Sequence, residues 1–180
     1  MTERTTLRTD LNAATRGRHD ALDRELSPLA EGPHYARFLR IQYAVRAPVE
    51  SWLEAHVTDP VPPKQSALIR QDLADLGVRL HYDLPIFNAE DPREAWGIAW
   101  ALAGSSLGSR TLLHRRRKAG LRGADRFLGD EAMPRYWAEL RPRIEVPMDE
   151  ATHEHAIRGA RRVFDNFLAV HRSTTERVAA

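Results

Sequence analysis

The sequence predicts an all-α protein with one domain, and three observations support this. Apolar residues recur at helical spacing in six segments, and no convincing pair of alternating strands is present. The chain has 180 residues, and a single hydrophobic core commonly serves about 100 to 200 residues. Apolar residues make up 42% and charged residues 29% of the chain, a globular balance that excludes a disordered protein.

The N-terminal helix is predicted from its leucines, which recur at spacings of three, four or their sums. Thr6 or Asp10 could cap its start, because both residue types accept hydrogen bonds from free backbone amides. Pro28 and the Gly-Pro pair at 32–33 should end it, since proline cannot continue the hydrogen-bond ladder. The apolar positions that carry this prediction are Leu7, Leu11, Ala14, Leu22 and Leu26.

Five further helices follow the same spacing rule. They are predicted over 35–56, 65–76, 91–117, 133–141 and 149–172. Pro48 should kink the first of these, and the proline-rich segment 58–64 should form a turn. Gly77 should close the next helix, and Pro92 suits the first turn of the one after it. The segment 81–90 is predicted to be a loop.

The composition excludes several kinds of site and partner. The absence of cysteine removes disulfides, thiolate metal sites and a cysteine nucleophile, and it fits a reducing compartment. No apolar run approaches the roughly 20 residues of a membrane helix, and residues 1–9 lack the apolar stretch of a secretory signal. We therefore expect a soluble, cytoplasmic protein without a membrane partner. The net charge of +2 does not indicate nucleic-acid binding.

His19 is the first candidate for chemistry. On an ideal helix it shares one stripe with Leu11 and Leu26, because residues three and four apart are neighbours. Neutral imidazole on or beside a buried face is a good axial ligand for haem iron. Asp23, one turn further on, could hold the other ring N–H and fix the tautomer. The alternative is a hydrogen-bonded histidine of the core or its boundary.

The second candidate is the segment 104–109, GSSLGS, in the middle of the fourth helix. Each interior glycine costs roughly 1 kcal/mol relative to alanine, so Gly104 and Gly108 weaken the helix and leave one side bare. One interpretation is close approach of the backbone to a flat ligand, with the serines holding water. The other is close packing of two helices.

Arginines near these candidates suit a ligand that carries carboxylates. Arg16 and Arg18 lie beside the histidine, and Arg161 and Arg162 lie on the last helix. Arginine pairs with carboxylates through charge-assisted, often bidentate hydrogen bonds, although a solvated charged face is the alternative for each. The run 115–118, RRRK, suits a helix C-terminus, an acidic electron-donor protein or nucleic acid, and for the last no aromatic platform is interleaved.

Two segments, in their order and separation, resemble the signatures of bacterial haem oxygenases. The segment 15–23, TRGRHDALD, is similar to the proximal helix that carries the haem-ligating histidine, here His19. The segment 104–110, GSSLGSR, resembles the kinked distal helix that lies over the haem. The segment 35–52 is similar to biliverdin-producing members, including those paired with bacteriophytochromes. The resemblance covers about 7–168.

The resemblance implies a fold and a reaction. One haem-oxygenase-like domain over 1–180, frayed at 1–6 and 173–180, would hold haem between a proximal N-terminal helix and a kinked distal helix. Haem b is then substrate and cofactor, with no other metal, and dioxygen with external electrons converts it to biliverdin, carbon monoxide and ferrous iron. The implied protein partners are an electron donor, such as a ferredoxin or a flavoprotein reductase, and a bilin-accepting phytochrome.

The resemblance also implies roles for individual residues. His19 is the axial ligand of the haem iron, with Asp23 as the partner of its other ring nitrogen. Arg16, Arg161 and Arg162 are candidates for binding the haem propionates. The catalytic positions are those that leave room for dioxygen and order water on the distal side. They are Gly104, Ser105, Gly108 and Ser109.

One departure from the family concerns Ser105. Many members have an aspartate there, which orders the water that helps to activate dioxygen, while some bacterial enzymes use the backbone and other side chains. The departure favours a second interpretation, a haem sensor or carrier of the same fold without efficient turnover. A helical non-haem oxidase or thiaminase-like protein would need a carboxylate–histidine set or a catalytic cysteine, and the carboxylates nearest to the paired histidines, Glu150 and Glu154, give no complete set of the di-iron type. A plain helical interaction domain predicts no tight haem binding.

Overall fold

Six α-helices form the part of the chain that the computed structural model describes, which is residues 5–80 and 84–179, with side chains to residue 174. The helices are α1 Leu7–Glu31, α2 Tyr35–His56, α3 Ser66–Asp75, α4 Ala95–Lys118, α5 Ala132–Ile144 and α6 Glu150–Ala179. Within these ranges no strand is present, so the all-α prediction is confirmed. No helix in these ranges combines the length and apolarity needed to cross a bilayer.

The start of α1 follows the prediction, and of the two predicted stops only the Gly-Pro pair at 32–33 is the observed one. The Thr6 side chain accepts a hydrogen bond from the Thr9 amide at 3.3 Å, which caps the helix. The prediction that Pro28 ends the helix is wrong, because α1 continues to Glu31 and only Gly32 stops it. A proline removes one hydrogen bond, and the packing of Leu26 and Ala30, both buried, holds the last turn in place.

Helix α2 spans its predicted range without a break at Pro48, and the segment 57–65 connects it to α3 outside regular structure. The buried Glu50 side chain accepts hydrogen bonds from the amides of Gln65 and Ser66, so α2 caps the start of α3. Gly77 follows α3 with a φ of +69°, a left-handed conformation that glycine adopts without strain.

The later boundaries agree with the predictions to within a few residues, except at the end of α6. A 3-10 turn at Pro92–Glu94 precedes α4, and Asp91 caps it by accepting from the Arg93 amide at 2.8 Å. Residues 84–90 form a loop, and the other part of the predicted loop, 81–83, lies outside the described residues. Helix α6 extends to Ala179, whereas the pattern predicted an end near 172. The predicted fraying at 1–6 and 173–180 stays a prediction, and 1–4 and 180 lie outside the described residues.

Helix α6 is the central element, and it packs against α1, α2 and α4. Two glycines allow the backbone of α6 to contact the backbone of the first half of α4 and of the preceding turn directly. A Cβ atom on Gly97 would lie 1.7 Å from the Ala156 carbonyl oxygen, and one on Gly159 would lie 2.2 Å from the Glu94 carbonyl oxygen. The second half of α4, after Ala103, is more exposed, and it borders a cleft.

The segment between α4 and α5 is fixed by one buried carboxylate. Asp72 on α3 is fully buried and accepts hydrogen bonds from the amides of Arg126, at 3.1 Å, and Phe127, at 2.9 Å. These bonds satisfy backbone groups that the irregular segment leaves unpaired. They also fix the Phe127 ring at the wall of the same cleft.

Candidate functional site

A cleft of about 860 Å³ lies between α1, α2, α4 and α6. Its volume falls within the roughly 300–1,000 Å³ typical of sites for small molecules and cofactors. Much of its wall is aromatic, which suits a flat apolar ligand. The aromatic residues that line it are Phe38, Trp100, Phe127, Trp137, Phe164 and Phe167.

The cleft brings together most of the residues that the sequence nominated. Helix α1 contributes one group of these residues, and α4 contributes the other. The lining includes Arg16, His19, Asp23, Gly104, Ser105, Gly108 and Ser109. Two segments more than 80 residues apart in the sequence therefore share one cavity, although neither motif alone predicts this.

His19 is held at the cleft by its neighbours on α1 and α6. Its side chain is 57% exposed, and Nδ1 lies 3.2 Å from the Asp23 carboxylate. The imidazole centroid is 6.1 Å from that of the Phe164 ring. A carboxylate beside Nδ1 favours the tautomer with its proton there and leaves the Nε2 lone pair available to a ligand. No described residue makes a hydrogen bond to Nε2.

Gly104 and Gly108 face open space. A Cβ atom on either residue would meet no atom of another element within 4 Å, unlike one on Gly97. Of the two interpretations, close helix packing and close approach to a ligand, this geometry supports the second. Helix α4 is continuous through both glycines, so they do not break it, and the predicted kink stays a prediction.

Alanine at Gly104 is expected to preserve or increase stability. The added methyl group meets no neighbouring element, and alanine has the better helix propensity, so the free energy of unfolding should rise by up to about 1 kcal/mol. Urea unfolding followed by circular dichroism measures the change. A loss of stability in Gly104→Ala would show that this position packs against another element.

The α4 serines use their hydroxyl protons within their own helix. Ser105 Oγ donates to the Leu102 carbonyl at 2.7 Å, and Ser109 Oγ donates weakly to the Ser105 carbonyl at 3.4 Å. Ser106 is buried, donates to the Ala103 carbonyl and does not line the cleft. Because a hydroxyl has one proton, Ser105 offers the cleft a hydrogen-bond acceptor.

A polar pair on α2 completes this wall, and sequence reasoning did not identify it. Arg46 Nη2 donates to Ser105 Oγ at 2.6 Å, and Arg46 Nε donates to Gln42 Oε1 at 3.0 Å. Phe38, Gln42 and Arg46 are spaced four apart and all line the cleft. Two polar residues on the apolar stripe of α2 were the signal that could have revealed them.

Three arginines were predicted to bind the haem propionates, and one of them lines the cleft whereas the other two lie outside it. Arg16 lines the cleft and makes no ion pair with the described residues. Arg161 instead donates to the Ala14 carbonyl at 3.3 Å, and Arg162 Nε donates to the buried carboxylate of Glu94 at 3.1 Å. Neither Arg161 nor Arg162 lines the cleft. Their position on α6 directs them to structural partners, which a helical sequence pattern could not show.

Arg18 and part of the run 115–118 have structural partners as well. Arg18 makes a bidentate pair with Asp165, and its nearer contact is 2.7 Å. In the run 115–118, Arg116 is buried, donates to the Ala30 carbonyl, and its guanidinium carbon lies 3.4 Å from the centroid of the Tyr35 ring. The run is therefore not a uniform exposed patch, and its central residue is structural.

The other histidines that the structure describes form no second metal site. In the described ranges, no three His, Asp or Glu side chains come together as a metal-binding group. His153 lies 2.7 Å from Asp10, and His155 lies 3.6 Å from Asp91, so each pairs with a different carboxylate. A non-haem metal centre built from carboxylates and histidines finds no support in this geometry.

Comparison with solved structures identifies the architecture. The chain aligns with the crystal structures of the NO- and CO-bound haem oxygenase from Neisseria meningitidis, with a TM-score of 0.72 over 95% of this chain and 92% of that one. The fold is that of a haem oxygenase. The sequence identity is 24%, a level at which the likeness shows the fold alone. No protein-family profile and no curated protein matches the chain.

The comparison supports this fold and does not single out the phytochrome-associated type that the sequence resembled. It confirms the predicted fold class of one all-helical domain. The chemistry at the cleft is a question for this chain's own residues.

Proposed function

We propose that this protein is a haem oxygenase that binds haem b in the cleft and cleaves it to biliverdin, carbon monoxide and ferrous iron. One observation carries the proposal. A histidine on α1, whose Nε2 has no hydrogen-bond partner among the described residues, and two bare glycines on α4 line a single cleft of about 860 Å³. The haem oxygenase fold of the chain supports it.

The residues of the cleft fit haem. Aromatic side chains line it and suit an apolar macrocycle. His19 supplies an imidazole ligand, and Arg16 supplies an unpaired guanidinium for a propionate. At Gly104 and Gly108 the absence of side chains leaves space against the helix backbone.

In the proposed mechanism, bound haem supplies the redox chemistry with dioxygen, and the chain positions and shields it. His19 Nε2 would hold the iron, and the Asp23 carboxylate, 3.2 Å from Nδ1, is placed to orient the imidazole and raise its basicity. Gly104 and Gly108 carry no side chains, so the α4 backbone would leave room for a ligand beside the bound group. The Ser105 oxygen accepts a hydrogen bond, so a water beside it would be held by one of its own protons.

A haem sensor or carrier is the second candidate function, and a specific observation favours it. The carboxylates that line the cleft, Asp20 and Asp23, lie on α1, and α4 contributes none. Ser105 donates its only proton to the Leu102 carbonyl, so it is not a proton donor to a ligand in this arrangement. Turnover therefore depends on other groups of the cleft or on water.

The proposal extends to partners and location. The reaction needs dioxygen and external electrons, which a ferredoxin or a flavoprotein reductase would deliver. Supply of a bilin to a phytochrome rests on the sequence resemblance alone. A reaction that uses a soluble reductant fits the cytoplasmic location expected from the sequence.

The test is an absorption titration of the purified protein with hemin, followed by reductant in air. Catalase is included to remove free peroxide, which attacks haem without an enzyme. We expect saturable binding, then loss of the Soret band and growth of a biliverdin band. Stable hemin binding that survives reductant would support the sensor or carrier instead. Absence of saturable binding would overturn both haem functions.

A further inference from the structure

Arg46 is a buried cation at the wall of the cleft. Its side chain is 1% exposed, and it lines the cleft between Gln42 on α2 and Ser105 on α4. The guanidinium carbon lies 5.2 Å from the centroid of the Phe127 ring. Each of these contacts limits its rotation, so the position of the charge is well defined.

The hydrogen bonds of Arg46 leave one donor group unused. Nε donates to Gln42 Oε1, and Nη2 donates to Ser105 Oγ. Nη1 is buried and has no hydrogen-bond partner in the part of the chain that the structure describes. Buried polar groups are nearly always paired, so an unpaired one of a charged side chain points to a role beyond packing.

No carboxylate neutralises this charge by contact. Arg46 makes no ion pair within the ranges that the structure describes. Glu50 accepts from the amides of 65–66, and Asp130 accepts from those of 132–133, so the carboxylates that stabilise the charge at longer range are held elsewhere. Burial lowers the pKa of Arg46 to about 10, and the group stays charged at neutral pH.

The orientation of Gln42 follows from the same contacts. Its Oε1 atom accepts from Arg46 Nε, so its amide nitrogen is left as a second donor without a partner among the described residues. This wall therefore combines one charged and one neutral N–H donor with the Ser105 acceptor. Such a set favours an anion over a neutral ligand of similar size.

We propose that Arg46 makes this wall of the cleft an anion site, which binds small anions or the negatively charged end of a ligand held opposite His19. The inference rests on the proposed haem function and adds a residue to it. Arg46 supplies a fixed positive charge where the family resemblance leads one to expect an aspartate at Ser105. With Arg46, this side of the cleft carries a positive charge, whereas an aspartate at position 105 would give it a negative one.

The experiment compares hemin-loaded wild type with Arg46→Met, Arg46→Lys and the control Arg135→Met, which alters an exposed arginine of α5 outside the cleft. Azide binding to the ferric proteins is titrated by absorbance, and carbon monoxide binding to the reduced proteins serves as the neutral probe. Loss of a charged hydrogen bond should weaken azide binding by roughly ten- to hundredfold in Arg46→Met. The effect in Arg46→Lys should be smaller, carbon monoxide affinity should be unchanged in all variants, and Arg135→Met should bind azide as the wild type does.

Three outcomes would overturn the inference. Azide affinity in Arg46→Met equal to that of wild type would show that the charge is not used. A parallel loss of azide and carbon monoxide affinity would assign Arg46 a structural role only. Failure of the wild type to bind hemin would overturn the proposed function and this inference together, whereas the first two results leave hemin binding intact and reject the anion site alone.

Discussion

His19→Ala should leave the protein folded and abolish histidine ligation of hemin. The side chain is 57% exposed, and exposed substitutions usually change stability by less than about 0.5 kcal/mol. Removal of a residue that only hydrogen-bonds to a metal ligand typically lowers metal affinity by about 10- to 100-fold. Loss of the ligand itself should exceed that, and conversion to biliverdin should stop. Hemin titration by absorbance, with urea unfolding of the apoprotein, measures both effects.

His114→Ala is the matched control for this variant. His114 is exposed, lies on α4 and does not line the cleft, so its removal should affect neither hemin binding nor its spectrum. Added imidazole should restore a histidine-type spectrum to His19→Ala by filling the space that the side chain left. A wild-type spectrum in His19→Ala without imidazole would assign the axial ligand to another residue.

Gly97→Ala should produce the largest loss of stability. The added methyl carbon would lie 1.7 Å from the Ala156 carbonyl oxygen and 2.8 Å from the Ala160 nitrogen, both backbone atoms of α6 that cannot rotate away. The two helices would have to separate. Overpacking of a core commonly costs about 1–3 kcal/mol, and displacement of two helix backbones should cost at least about 3 kcal/mol, a large part of a typical total stability.

Gly104→Ala, on the same helix, is the control that separates the steric clash at Gly97 from the change in helix propensity. Both substitutions bring the same gain in helix propensity, but only the methyl group at 97 meets another element. The difference in unfolding midpoint between the two variants therefore measures the contact between α4 and α6. Equal midpoints would mean that the helices are further apart at Gly97 than the structure places them.

The fold could be predicted well because each helix carries its own signals. Gly77 and Asp91 end and start their elements as their residue types require. The exception, Pro28, shows the limit of such signals. A local rule predicts a stop there, but the buried Leu26 and Ala30 keep the chain helical. Tertiary packing, which one segment's sequence does not contain, decided that boundary.

The candidate site was predictable only in part. His19 and the two α4 glycines could be nominated because their residue types are unusual for their positions on a helix. Arg46 could not, since an arginine in a helix normally belongs to the solvated face, and its burial depends on Ser105 from another element. For the same reason the sequence could not show that Arg162 pairs with the buried Glu94, which is distant in the sequence.

The way α4 ends has a consequence for association with charged partners. Of the four cations at 115–118, Arg115 pairs with Glu31, Arg117 pairs with Asp125, and Arg116 is buried against Tyr35. Two carboxylates thus offset two of the four charges, and a third is withdrawn from the surface. Binding of a polyanion releases counterions in proportion to the charges it neutralises. Binding of a polyanion to this end of the molecule should therefore depend only weakly on ionic strength, and far less than four adjacent basic residues in the sequence would indicate.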